Sequence, residues 1–377
     1  PLMRFLTLRF FLVCAVAALP ACGDGDGEFG LRQESRPQPV GLQLLENGLP
    51  DPAVLAPDQT VYRGNAEEPV TLDPHQAIGV PSSHILRDLF EGLTTESPDG
   101  KVIPGAALRW NISRDARTYT FYLHRDLVWS NGEPLDAHDF VYSFRRAASP
   151  ETASSAANTL LPIQTAREVL AGELPVEELG ISLLDEYTMQ ITLTGPTPYF
   201  LGLLASPVAY PVNRANVEAF GDQFSRPDNL VSNGAYVLKT WKPRVHIELQ
   251  KNPNFREADR TLVENVFYLP TEDQSAEIKQ FRAGELDWTS VVPNNQFKWL
   301  QKHYADELVV SPWMGSYFFG FNLTQEPFVD NPSLRMALIL AIDRQIITDK
   351  VTQFGEKPSY ALVPPGIDGY VPFTPEY

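Results

Sequence analysis

The chain has 377 residues, a net charge of −17 and two cysteines. So acidic a body repels phosphate backbones and anionic surfaces, which argues against nucleic-acid binding. Both cysteines, Cys14 and Cys22, fall near the start, so the rest of the chain offers no disulfide framework, cysteine nucleophile or thiolate metal site.

Arg4 and Arg9 flank the beginning of an apolar run, Phe10 to Ala18, that is too short to cross a bilayer as a helix. Leu19-Pro20-Ala21-Cys22 follows and resembles a lipobox. This predicts an export leader over 1–21 and a lipid anchor on Cys22, placing the protein in the periplasm or cell envelope. Residues 22–57 are rich in Gly, Pro, Gln and acidic residues without sustained periodicity, and read as a flexible linker. Asp24-Gly25-Asp26-Gly27-Glu28 within it lacks the remaining ligand positions of a calcium loop.

From Val61 onward short strands and helices mix without a regular βαβ rhythm. Ser83 is expected to cap a helix with Ile85, Leu86, Leu89, Phe90 and Leu93 on its apolar face. Tyr119, Phe121 and Leu123 alternate with Thr118, Thr120 and Tyr122, a half-buried strand. Asp136 and Asp139 stand at capping-box spacing before another helix. Met189, Ile191 and Leu193 predict a second alternating strand, and Val245, Ile247 and Leu249 a third. Asn233-Gly234 reads as a turn in which glycine takes positive φ. Asn331-Pro332 opens a helix with Leu334, Ala337, Leu338, Ala341 and Ile342 on one face, ending at Gly355.

Catalytic signatures are missing. None of the six histidines has helical zinc-pair spacing or lies in a serine-hydrolase motif, and no glycine-rich loop joins a strand to a helix. The chain is expected to be neither an enzyme nor a holder of cofactor or metal.

Several blocks, in order, resemble the family of bacterial extracellular solute-binding proteins for oligopeptides and dipeptides. They include Glu68-Pro69-Val70-Thr71-Leu72-Asp73-Pro74-His75, Arg87-Asp88-Leu89-Phe90-Glu91-Gly92, Trp129-Ser130-Asn131-Gly132, Asp139-Phe140-Val141-Tyr142-Ser143-Phe144, Val231-Ser232-Asn233-Gly234-Ala235-Tyr236 and Gly284-Glu285-Leu286-Asp287. The resemblance implies an α/β, two-lobed periplasmic-binding-protein fold with a hinge and an extra subdomain. It implies a first lobe with that inserted subdomain over 58–300. A second lobe would begin at 301–377, incomplete at its C-terminal side, where the family carries an aspartate for the ligand amine.

It further implies a monomer that traps an extended short peptide by main-chain pairing and delivers it to the permease subunits of an ABC importer. Carried over by position, the peptide-binding residues are Glu68, Pro69, Val70, Tyr142, Trp313 and Phe318. Gly320, where the family has a glutamate, predicts a less polar cleft. The same scaffold could instead receive a cell-wall peptide, opine or nickel chelate. An exported peptide hydrolase and a signalling receptor stay open as further readings.

Overall fold

The computed structural model describes residues 55–98, 100–311, 315–364 and 370–371. The leader, Cys22, nearly all of the linker, and Trp313 lie outside the described residues. The chain divides into two compact units, one ending at Ser290 and the next beginning at Val291.

In the first unit β1 (Thr60–Gly64) is followed by α1 (Gly79–Leu89), then the short strands β2 (Thr94–Glu96) and β3 (Val102–Pro104). Next come β4 (Ala107–Ile112), β5 (Thr118–Leu123), α2 (Ala137–Ala148), β6 (Ile181–Asp185), β7 (Thr188–Thr192) and α3 (Arg214–Phe220). The unit closes with β8 (Tyr236–Lys242), β9 (His246–Lys251), β10 (Asn265–Leu269) and α4 (Gln274–Ala283).

Eight of these strands build two four-stranded sheets with separate cores, and β2 pairs antiparallel with β3 on its own. One sheet has the order β1-β10-β9-β8, with β1 parallel to β10 and the other pairings antiparallel. It packs on the apolar face of α1, through Ile85, Leu86 and Leu89. The other, β4-β5-β7-β6, is antiparallel throughout and lies in sequence between β1 and β8. Its inner face carries Tyr119, Phe121, Met189 and Ile191 against Phe140 and Phe144 of α2. The alternation in β5 follows the sequence expectation: Tyr119, Phe121 and Leu123 are buried and the residues between them are half-buried. Asp136 and Asp139 form the expected capping box at the start of α2.

Four local expectations in the first unit need correction. Ser83 does not cap α1: Pro81 fits the first helical turn, the helix starts at Gly79, and the Ser83 hydroxyl donates back to the Gly79 carbonyl. Val245 precedes β9 and is exposed, because the strand begins only at His246. Leu193 lies just past β7 yet is buried, and pairs with Ile163 in an isolated bridge.

Gly234 is absent from the residues of positive φ. Its role is close approach: a Cβ there would sit 2.5–2.6 Å from backbone atoms of Asp88, Leu89 and Phe90. Its N–H donates to Leu89 O at 2.8 Å. Beside it the Asn233 carboxamide pairs with both the N–H and the carbonyl of Glu91. Asn233-Gly234 is therefore a clamp on the exit from α1, reinforced where Arg256 grips the buried Glu91 carboxylate with Nε and Nη2 at 3.2 and 2.6 Å.

In the second unit Asn331 caps α6 (Pro332–Ala341) through Leu334 N, after α5 (Phe297–His303). α6 ends at Ala341 rather than running toward Gly355, and Asp343 caps a fresh helical segment immediately afterward. None of the α6 residues is buried. Phe297 meets Phe354 edge-on at 4.7 Å.

Candidate functional site

Between β1 and α1 the chain runs without regular secondary structure, held down by side chains rather than by a sheet ladder. Glu68 accepts from Trp241 Nε1 at 2.5 Å and from Arg244 N at 3.1 Å. The ring of Trp241 in turn lies under the Arg226 guanidinium. Leu72 is fully buried, and Asp73 takes both η nitrogens of Arg146 on α2, at 3.0 and 2.6 Å.

Arg146 Nη1 also donates to His75 Nδ1 at 2.7 Å, while His75 Nε2 donates to Tyr210 O at 3.0 Å. These partners require a neutral imidazole protonated on Nε2. Burial, with the Arg146 charge adding to it, lowers the pKa of His75 to about 4. Gln76 Nε2 completes the anchoring on Thr152 O.

The segment pinned in this way leaves main chain free. Glu68, Pro69 and Val70 make no main-chain hydrogen bond among the described residues, and Val70 is 80% exposed. Further on, Ile78 is extended, with φ −129° and ψ 152°, and 56% exposed. Its N–H and those of Gly79 and Val80, at an α1 N-terminus that no side chain caps, find no partner among the described residues. Main chain left unpaired beside exposed apolar side chains, extended at Ile78 and irregular over Glu68–Val70, offers donors and acceptors to an extended ligand. Ile78–Val80 was missed in the sequence; the signal available was Gly79 two residues before Pro81, which marks an extended approach to a helix start.

Tyr142 stands elsewhere. It lines a groove of about 870 Å³ between α2, α3 and β6, beside Arg145, Val217 and Leu183. Arg214 lies 5.5 Å above its ring, and burial raises the pKa of its phenol. Glu68, Pro69 and Val70 are not among the residues lining that groove.

In the second unit Phe318 is 67% exposed in a stretch without regular secondary structure, flanked by Tyr317 and Phe319, whose rings meet edge-on at 5.6 Å. Trp313 lies outside the described residues. Among the described residues no cluster of His, Cys, Asp and Glu could hold a metal ion. Nor is any helix long and apolar enough to cross a membrane.

The first unit is an α/β fold that leaves main chain at Glu68–Val70 without hydrogen-bond partners among the described residues. Residues 101–377 match the model of the bacterial extracellular solute-binding proteins, family 5, and the chain belongs to that family. It is 40% identical over 341 residues to the periplasmic oligopeptide-binding protein OppA of Escherichia coli K12, covering 90% of this chain and 62% of that protein. OppA of Burkholderia pseudomallei superposes with a TM-score of 0.82 at 36% identity, over 85% of this chain and 63% of that one. OppA of Haemophilus influenzae, solved in complex with the peptide RPPGFSPFR, superposes with a TM-score of 0.78 at 36% identity, over 82% and 61%. The chain thus spans less than two thirds of the length of these relatives.

Proposed function

We propose that the protein is an extracytoplasmic receptor that binds short peptides and delivers them to the permease subunits of an ABC importer, without transforming them. The observation that carries this reading is the unpaired main chain of Ile78–Val80 and Glu68–Val70 on a scaffold related to oligopeptide-binding proteins. Main-chain pairing is indifferent to side chains, so one receptor serves peptides of many sequences. The exposed Val70, Ile78 and Val80 supply apolar surface for ligand side chains, and resemblance to the family adds Trp313 and Phe318 as peptide contacts. Closure of two lobes traps the peptide. The receptor works as a monomer, tethered to the periplasmic face of a membrane by acylated Cys22 through the linker at 22–57. Tyr142 lines a groove with Gln76 and Arg146, which anchor the same segment, while none of Glu68–Val70 or Ile78–Val80 lines it.

Calorimetric titration of the complete gene product with short unblocked peptides of varied sequence tests the reading. Micromolar or tighter binding, on the order of −8 kcal/mol or better, for most of them supports it. Binding confined to a non-peptide solute, or release of cleaved fragments, refutes it.

A further inference from the structure

Asn65 follows β1 directly and is 1% exposed, with its own N–H fixed on Leu269 O. Its Nδ2 donates to two carbonyls far apart in sequence, Glu67 O at 3.2 Å and Pro81 O at 3.3 Å. Glu67 immediately precedes the Glu68–Val70 stretch, and Pro81 immediately follows Ile78–Val80. One carboxamide therefore sets the spacing between the two unpaired stretches. The opposite orientation would set Oδ1 against both carbonyl oxygens, so these two bonds decide which way the amide points.

Held this way, Asn65 Oδ1 is buried without a partner among the described residues. A buried acceptor left unsatisfied costs stability, and such a group calls for an explanation. Packing alone does not supply one, because an aliphatic side chain of similar size would fill the space without that cost. The two donors of Nδ2 give the polar group its use.

We infer that Asn65 is a positioning residue for ligand capture, presenting Glu68–Val70 and Ile78–Val80 in the one relative geometry that an extended peptide can pair with. The inference rests on the peptide reading above. Asn65 touches no ligand in this account; it acts through the main chain on either side of it. A second tie between sheet and helix, from Tyr268 Oη to Asp88 Oδ2 at 2.6 Å and His84 O at 3.3 Å, holds α1 further along. It does not reach Glu67 and serves as a control.

The test is a cycle of two changes, read by calorimetry on the complete gene product with one short peptide and its singly N-methylated analogues. In the wild type, N-methylation of a pairing amide is expected to weaken binding about thirtyfold, the loss of one hydrogen bond with its partner left unpaired. Asn65→Asp sets oxygen against both carbonyls. It is expected to weaken the parent peptide about thirtyfold and to shrink the N-methylation penalty below about threefold, a non-additive pair. Tyr268→Phe should lower Tm and keep the full penalty, as a purely structural tie would.

An undiminished N-methylation penalty in Asn65→Asp overturns the Asn65 inference and leaves the peptide reading intact. A wild type that binds no peptide, or is indifferent to N-methylation, removes the basis of both. Should Asn65→Asp fail to fold, Asn65→Gln displaces the same carboxamide by one methylene and runs the same cycle; additivity there is equally fatal.

Discussion

Arg146 closes both η nitrogens on the Asp73 carboxylate, at 3.0 and 2.6 Å, with the Asp73 side chain 5% and the Arg146 side chain 15% exposed. The pair fastens the segment before α1 to α2, so it joins the two sheets' cores through side chains rather than strands. Removing one member of such a pair leaves a buried charge without a partner. Asp73→Asn is therefore expected to destabilise the fold by about 3–5 kcal/mol in urea unfolding, and Asp73→Asn with Arg146→Met to recover part of the loss. Equal stability of the wild type and Asp73→Asn would mean the pair is solvated in solution.

Gly234 meets the end of α1 too closely for any side chain. Gly234→Ala should cost on the order of 2–4 kcal/mol, since the neighbours of the new methyl are backbone atoms that have no other rotamer to take. Denaturant melts check this, and a loss under about 0.5 kcal/mol would show that α1 can slide.

Acid sensitivity has a definite sign. Burial lowers His75 to about 4 and His84 to about 3 from 6.5. Between those values and 6.5 the unfolded chain binds protons that the folded chain does not, so stability falls as pH drops through that window. For His75 alone this amounts to on the order of 3 kcal/mol. Asp139 acts the other way: burial raises it from 3.8 to about 6, so its contribution declines as pH rises between them. Burial raises Asp88, Glu91 and Asp287 as well, so they act with Asp139, and the histidine contribution is read by difference: His75→Gln should lose less Tm than the wild type between pH 7 and pH 4. An unchanged pH slope of Tm in His75→Gln contradicts the neutral, buried state of His75.

Gly79 has φ +81°, where a β-branched residue is strained. Gly79→Val should shift Ile78 and Val80 and weaken peptide binding about tenfold or more. Tyr142→Ala should change peptide affinity by less than about threefold, since neither Glu68–Val70 nor Ile78–Val80 lines its groove. Titration of both variants decides the matter; the reverse pattern would move the peptide to the groove.

Elements specified by nearby residues were readable from sequence. β5 shows in the alternation of Tyr119, Phe121 and Leu123, α2 in the Asp136–Asp139 box, and α6 in its Asn331 cap. Contacts made across the chain were not. Asn233 meets Glu91 at a separation of 142 residues and Arg256 meets Glu91 at 165, so Asn233-Gly234 read as a turn although it is a clamp. At the candidate site, resemblance pointed to Glu68–Val70 from its motif. That this backbone stays unpaired, and that Ile78–Val80 shares the property, depends on which strands β1 lies beside and on side-chain anchors such as Asn65. Tyr142 carried the same kind of positional warrant, and α2 sets it beside Arg214 in a groove that Gln76 and Arg146 also line.

The central claim, a sequence-tolerant peptide receptor, is tested most directly by native mass spectrometry of the complete gene product without its leader, purified gently. The account predicts a ladder of added masses that match short peptides and are shed on mild activation. A single sharp non-peptide mass, or no retained ligand after peptides are supplied, would contradict it.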